Sequence, residues 1–183
     1  MSAFRVAILV GSNRQASINR QLANALADLL PTGTDVIWPR IDDLPLYNQD
    51  HDLDRASSVD RFTDDMLSAD AVIIVTPEHN RSIPAVLKSA LDWGSRPSER
   101  QVWRNKPIFI TGTSPGAIGA ALAQQHLRLV LGSMGALVIG GEVYVQFRPE
   151  LFNEAGLLAQ TDTKAWLQAH VDRFLDLLPG LDK

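Results

Sequence analysis

The chain has 183 residues, of which 45% are hydrophobic and 21% charged, a composition typical of one globular domain with a full core. It contains no cysteine, which excludes disulfide scaffolds, iron–sulfur centres and thiol nucleophiles. The net charge of −4 gives no basic footprint for nucleic acid, and no apolar run approaches the roughly 20 residues that span a membrane. We therefore expect a single cytoplasmic domain over residues 1–183.

Short β-branched runs alternate along the chain with patterns that are typical of amphipathic helices. The first apolar run, 4–10, stops at Gly11 and predicts a strand that is covered on both faces. Further strands are predicted at 35–38, 70–76, 107–111 and 136–139. One helix is predicted to follow Ser17, a second to cover 59–68 and a third to begin near Pro84. A fourth is predicted to contain Leu127, and a last one to carry an apolar face from Leu167 to Leu178. This alternation predicts an α/β fold in which a doubly wound, five-stranded parallel sheet lies between two layers of helices.

Ligands of such sheets bind beyond the carboxyl ends of the strands, so the loops that follow the strands form the candidate site. The first loop reads Gly11-Ser12-Asn13-Arg14-Gln15-Ala16-Ser17-Ile18-Asn19, and it lacks the glycine spacing of dinucleotide and P-loop motifs. Its hydroxyl groups, its guanidinium and the N-terminus of the next helix suit a terminal phosphate. A solvated turn in which Ser17 only caps the helix is the alternative.

The region after the second predicted strand gives no nucleotide signature. The strand ends Val36-Ile37-Trp38-Pro39-Arg40 and so lacks the acidic residue that binds the ribose of NAD in many α/β folds. No dedicated 2′-phosphate motif is visible either, so the sequence does not separate NADPH from NADH. The Asp-rich stretch 49–54 is interpreted as a solvated loop, at the rim of the pocket or as a lid, and not as a metal site.

The second loop combines rigidity with polar groups. It reads Thr76-Pro77-Glu78-His79-Asn80-Arg81-Ser82-Ile83-Pro84. Two prolines stiffen it, and its backbone N–H groups stand beside a helix N-terminus, which suits a flat, polar heterocycle. Glu78 and His79 as an acid–base pair, or as exposed turn residues, remain alternatives. Trp93, further along the same helix, is interpreted either as a wall of the pocket or as a core residue.

The third loop matches the G-x-S-x-G pattern of a hydrolase nucleophile elbow. It reads Gly112-Thr113-Ser114-Pro115-Gly116-Ala117-Ile118-Gly119. A catalytic set of Ser114, Asp162 and His170 is one hypothesis. Pro115 argues against it, because the residue after the nucleophile must supply an oxyanion-hole N–H that proline lacks.

Taken together, the three loops resemble the NAD(P)H-dependent FMN reductase family, whose flavodoxin-like members include quinone, chromate and azo reductases. The resemblance lies in Gly11-Ser12-x-Arg14-x-x-Ser17-x-Asn19-Arg20, in Thr76-Pro77-Glu78-His79-Asn80-x-Ser82-Ile83-Pro84-x-x-Leu87-Lys88, and in Thr113-Ser114-x-Gly116-x-x-Gly119. It covers about residues 4 to 140, in the family's order and spacing.

The resemblance implies FMN and NAD(P)H as cofactors and assigns the loops to parts of the flavin. By resemblance, the residues that bind the phosphate and the ribityl chain are Ser12, Arg14, Ser17, Ile18 and Asn19. By resemblance, the residues that line the isoalloxazine ring are Pro77, Glu78, His79 and Asn80. Ser114 and the backbone at Gly116 lie near its pyrimidine edge.

In this interpretation the flavin carries the chemistry, and neither a catalytic side chain nor a metal is required. A hydride passes from NAD(P)H through FMN to a small acceptor, namely a quinone, an azo compound, chromate or free flavin. We expect the third loop and the N-terminus of the helix after it to stabilise the negative charge of the reduced flavin. An electron-transfer flavodoxin is the alternative, although such proteins dock through strongly acidic surfaces and this chain is only mildly acidic.

The sequence departs from the family at positions that bear on substrate and assembly. His79 stands where the family usually has Tyr, and an imidazole there titrates closer to neutral pH. Leu122 and Gln125 replace an Arg and a Tyr that contribute to subunit contacts in some members. We therefore expect a homodimer and leave a tetramer open.

Overall fold

A computed structural model, which describes residues 4–178, shows a parallel sheet between two layers of helices. The strands are β1 (Arg5–Val10), β2 (Asp35–Ile37), β3 (Ala71–Val75), β4 (Pro107–Ser114), β5 (Leu137–Val138) and β6 (Tyr144–Gln146). The helices are α1 (Ile18–Ala27), α2 (Ser57–Ser68), α3 (Ala85–Gly94), α4 (Ala121–Ser133) and α5 (Thr161–Leu175). Residues 1–3 and 179–183 of the predicted domain lie outside the described part of the chain.

The strands follow the order β2-β1-β3-β4-β5, and all of their pairings are parallel. This is the flavodoxin-like arrangement, and it confirms the predicted fold class. The prediction of five strands was incomplete, because β6 also pairs with β4 beyond the end of β5, with Gly112 opposite Tyr144. β4 is accordingly longer than predicted and contains the start of the third loop, up to Ser114.

Burial on both faces of the sheet explains the continuous apolar runs of β1 and β3. Residues of one face, such as Ile8 and Ile73, pack under α1 and α5. Residues of the other face, such as Leu9 and Ile74, pack under α2, α3 and α4. The period-two alternation of a strand therefore places an apolar side chain in a core at every position.

The helices lie where they are predicted, but their boundaries differ by up to three residues, since α5 ends at Leu175 and the predicted apolar face extends to Leu178. α2 begins at Ser57, and it buries Val59, Phe62 and Met66 on the single stripe that the helical period predicts. Pro84 adopts an extended conformation and is the N-cap of α3, which begins at the next residue and so agrees with a helix start near Pro84. Within residues 4–178, the helices do not combine the length and the apolar character that crossing a membrane requires.

Candidate active site

The loop after β1 presents unpaired donors at the N-terminus of α1. Ser17 is the N-cap of this helix, and its Oγ accepts a hydrogen bond from the Arg20 N–H at 3.3 Å. The first turn of α1 contains no acidic residue. Among the described residues, the exposed guanidinium of Arg14 has no hydrogen-bond or ion-pair partner. The helix dipole and this cation therefore leave an uncompensated positive charge that suits an anion.

Asn19 ties this loop to the third one. Its buried carboxamide accepts a hydrogen bond from the Thr113 N–H and donates one to the Thr113 carbonyl, both at 2.9 Å. Such a two-bonded clamp fixes α1 against the end of β4. The side chain of Asn19 is thus mainly a positioning group.

The second loop turns sharply at its exposed tip. His79 and Ser82 exchange backbone hydrogen bonds of 2.9 and 3.0 Å across the turn. The two residues between them, Asn80 and Arg81, have φ angles of 51° and 67°, which defines a type I′ turn. The imidazole of His126, on α4, lies 3.0 Å from the Ser82 hydroxyl and braces the turn from the side. The loop is therefore a preformed wall with His79 and Asn80 exposed on it.

Glu78 caps a helix that is distant in sequence. Its Oε2 accepts hydrogen bonds from the backbone N–H groups of Leu122 and Ala123, at 3.0 and 3.3 Å, in the first turn of α4. Ala120, the N-cap of α4, has no polar side chain that could do this. The hypothesis of a Glu78–His79 acid–base pair finds no support, because the carboxylate is bound to α4 and to Arg81.

The same contact corrects the expected role of the α4 N-terminus. We expected its N–H groups to stabilise the negative charge of a reduced flavin. Two of them are already bonded to the carboxylate of Glu78, whose negative charge offsets the positive end of the helix dipole. The backbone N–H groups of the third loop stay a prediction for that role.

The third loop is positioned by a close approach between β4 and the end of β3. A Cβ atom on Gly112 would lie 2.0 Å from the Thr76 carbonyl oxygen, so only glycine fits at this position. Thr113, the next residue, has a buried hydroxyl oxygen without a hydrogen-bond partner in the described structure. The approach brings Ser114 to the same edge of the sheet as the other two loops.

The hydrolase arrangement is not formed. The Ser114 hydroxyl donates to the Gly116 carbonyl at 3.4 Å. The imidazole of His170 lies 2.8 Å from the Trp166 carbonyl and packs edge-on against the Trp166 ring. No hydrogen bond within residues 4–178 joins Ser114, Asp162 and His170.

A cleft of about 400 Å³ lies between the loops after β1 and β2, and the sequence did not predict it. The guanidinium of Arg20 lies over the ring of Trp38, 5.2 Å from the ring centre. Arg40 forms an ion pair with Asp42 at 2.7 Å, and this hydrogen bond holds the pKa of Asp42 below its usual value. Partial burial lowers the pKa of Arg20. The signal in the sequence was the run Trp38-Pro39-Arg40 after β2, which we had interpreted only as the absence of an acidic residue.

Trp93 is a core residue and not a wall of the pocket. It is 1% exposed, and its indole N–H donates to the Pro45 carbonyl at 2.8 Å. Tyr47 packs edge-on against its ring. These contacts fasten the segment just before the Asp-rich stretch to α3. Within the described residues, no three His, Asp or Glu side chains meet in a group that could hold a metal ion.

The family model for NADPH-dependent FMN reductase matches residues 4–150, which contain all three loops. The chain belongs to this family. It is 43% identical over 173 residues to a 2-hydroxy-1,4-benzoquinone reductase of Burkholderia sp, with 94% of each chain covered. It is 41% identical to a quinone reductase of Pseudomonas putida, covering 93% of this chain and 92% of that one.

Solved structures agree with this assignment. FerB, a flavoenzyme NAD(P)H:(acceptor) oxidoreductase from Paracoccus denitrificans, superposes on this FMN reductase with a TM-score of 0.92 at 38% identity, covering 97% of this chain and 98% of that one. An apo NADH:FMN oxidoreductase with 24% identity and a TM-score of 0.69 shares the fold, covering 94% of this chain and 88% of that one. The chain is thus an NAD(P)H-dependent oxidoreductase of the FMN type.

Proposed function

We propose that this chain holds FMN along the carboxyl edge of its sheet and uses NAD(P)H to reduce a quinone. The proposal rests on the three loops that hydrogen bonds hold together at this edge. Beside them lies the N-terminus of α1, whose first turn contains no acidic residue to offset its positive charge. When bound, FMN accepts a hydride from the nicotinamide and passes reducing equivalents to the acceptor. The protein contributes binding, orientation and electrostatics.

The first loop would hold the phosphate and the ribityl chain. Hydroxyl groups of Ser12 and Ser17, the guanidinium of Arg14 and the N–H groups of Ile18 and Asn19 are the donors that a phosphate dianion requires. The N–H groups in the first turn of a helix have no acceptor within the helix and are available for the ligand. The site therefore fits the group in both charge and donor set.

The second and third loops would hold the ring. Pro77 and the type I′ turn give a stiff wall that bears His79 and Asn80, and Glu78 fastens this wall to α4. Ser114 and the backbone at Gly116 lie on the opposite loop, where a hydroxyl group and N–H groups suit the pyrimidine edge.

A homodimer fits the apolar face between α3 and α4. A cleft of about 460 Å³ there is lined by Ile83, Leu129 and Val130, and Leu129 is 75% exposed. Leu122 and Leu129 lie on one stripe of α4, and such a face is self-complementary in a two-fold dimer. Because Ile83 belongs to the second loop, a partner docked here would reach the rim of the flavin site. A tetramer has no comparable support.

Two broader expectations are kept as proposals. We propose that residues 1–183 act as a single domain, which is supported by the one sheet shared by both cores. We place the protein in the cytoplasm, where NAD(P)H is the common reductant.

The purified protein tests the proposal directly. We expect it to take up FMN, and in anaerobic stopped-flow mixing NAD(P)H should bleach the flavin absorbance, which 1,4-benzoquinone then restores. An azo dye, chromate and free FMN serve as competing acceptors. If the flavin absorbance returned faster with one of them than with the quinone, that compound would be the preferred acceptor. Protein that takes up no FMN would overturn the proposal, and bound flavin inert to both nucleotides would indicate an electron carrier.

A further inference from the structure

We propose that the cleft between the loops after β1 and β2 binds the 2′-phosphoadenosine end of NADPH, so that the enzyme prefers NADPH to NADH. The inference rests on the proposed function and adds to it the site that selects the reductant. It uses Trp38, Arg20 and Arg40, which take no part in holding the flavin.

The side chains that line the cleft carry an excess of positive charge. Apart from Arg14, which the proposed function assigns to the FMN phosphate, the residues that line the cleft include two guanidinium groups, those of Arg20 and Arg40, and one carboxylate, that of Asp42. A phosphate monoester carries a charge of about −1.5 to −2 at pH 7 and would be attracted by the positive charge that remains. The ribose of NADH has only hydroxyl groups there and would gain little from these arginines.

An aromatic ring, that of Trp38, also lines the cleft. Trp38 is 38% exposed and lines the cleft, and the guanidinium of Arg20 lies 5.2 Å from its ring centre. A flat indole beside a planar guanidinium is a stacking platform for a purine base. An aromatic platform and a cluster of cations in one cleft together fit a nucleotide better than a bare inorganic anion.

The two arginines differ in whether a carboxylate already bonds them. Arg40 donates hydrogen bonds from its Nε and Nη2 to the Asp42 carboxylate, at 2.7 and 3.1 Å, and these bonds fix the orientation of its guanidinium. Arg20 is exposed and forms no ion pair among the described residues, and its pKa is lowered by partial burial and raised, by less, by the nearby charge of Asp42. A guanidinium that is not already bonded to a carboxylate can bind an arriving phosphate directly.

The position of the cleft suits a dinucleotide that also reaches the flavin. Ser12 and Arg14 line it, so it adjoins the proposed phosphate site. β2 lies two positions from β3 in the sheet, and a spacing of about 4.8 Å between strands puts the cleft about 10 Å from the start of the second loop. A nicotinamide at the ring and an adenosine in this cleft would therefore lie along one edge.

Titration of the FMN-loaded protein with 2′,5′-ADP, followed by tryptophan fluorescence and calorimetry, tests the site without any redox reaction. We expect 2′,5′-ADP to bind at least about tenfold more tightly than 5′-AMP, as one lost charge-assisted hydrogen bond implies. Arg40→Ala and Trp38→Ala should each weaken 2′,5′-ADP about tenfold, Arg40→Lys should restore much of the loss, and Asp42→Asn should strengthen binding. Equal binding of 5′-AMP and 2′,5′-ADP, or displacement of FMN by FAD with its adenine in the cleft, would overturn the inference.

Steady-state kinetics provide the second readout and the control. Arg40→Ala should raise KM for NADPH about tenfold and leave KM for NADH nearly unchanged. Arg5→Ala is the matched control, since Arg5 forms an exposed ion pair with Asp35 at 2.6 Å at the other end of the same two strands. An equal rise in both KM values would contradict the assignment. Failure of the proposed function would differ, because the flavin would then stay unreduced while 2′,5′-ADP still bound.

Discussion

Single side chains at the site differ in whether they are free to bind a ligand or already bonded within the protein. Arg14 is free among the described residues, whereas Asn19 is bonded to Thr113 and Glu78 to α4. All three belong to the motifs that resemble the family. The hydrogen bonds therefore distinguish, among the motif residues, side chains that are free to bind a ligand from side chains that position a neighbouring element.

Replacement of Arg14 tests the phosphate site. Arg14→Ala should weaken FMN binding by about 1.5–3 kcal/mol, the range for hydrogen bonds to charged groups. Fluorescence titration of the flavin-free protein measures the change, with Arg5→Ala as the control at the far end of β1. An unchanged dissociation constant would remove Arg14 from the phosphate site.

At the scale of elements, the hydrogen bonds of Glu78 make α4 and the second loop depend on each other. Glu78→Ala should lower the free energy of unfolding by about 1–2 kcal/mol, because the first turn of α4 loses its cap. Glu78→Gln keeps an acceptor oxygen and should cost less, about 0.3–1 kcal/mol for the lost charge at the helix dipole. Urea unfolding measures both values.

Arg81 provides the control for this effect. Its side chain is 69% exposed and lies 3.3 Å from Glu78, so Arg81→Ala should change stability by no more than about 1 kcal/mol, as for other exposed ion pairs. If Glu78→Ala were as mild as Arg81→Ala, the cap on α4 would contribute nothing measurable.

Elements with a strong local pattern could be predicted, and those that depend on a partner could not. β1 and β3 are continuous apolar runs and were found within a residue at each end. β6 has three residues, one of them polar, and it exists because Gly112 and the residues after it extend β4 far enough to pair with it. That pairing joins residues 32 positions apart, which a local pattern does not show.

At the scale of the whole molecule, the apolar face of α3 and α4 predicts how the protein assembles. Leu129→Glu should convert the proposed dimer to a monomer, because it would place a carboxylate from each protomer in an apolar interface. We expect the dimer dissociation constant to rise by about 100-fold or more, which corresponds to about 3 kcal/mol. Sedimentation velocity over a range of concentrations measures it.

Leu177→Glu is the matched control for the interface. Leu177 is 47% exposed and follows α5, which packs on the opposite face of the sheet. This variant should remain as dimeric as the original protein. A Leu129→Glu protein that sediments like the unaltered chain would show that this face is not the interface.

The sequence by itself determined the absence of thiol chemistry, the α/β alternation, the three loops and their family resemblance. These follow from residue types and from spacings along the chain, which are local properties. Only the tertiary structure decided that Glu78 caps α4, that Asn19 holds Thr113, that Trp93 anchors a loop, and that Arg20 and Arg40 share a cleft with Trp38. Each of these contacts joins residues from different elements, and the packing of both helical layers on one twisted sheet sets the distances between them.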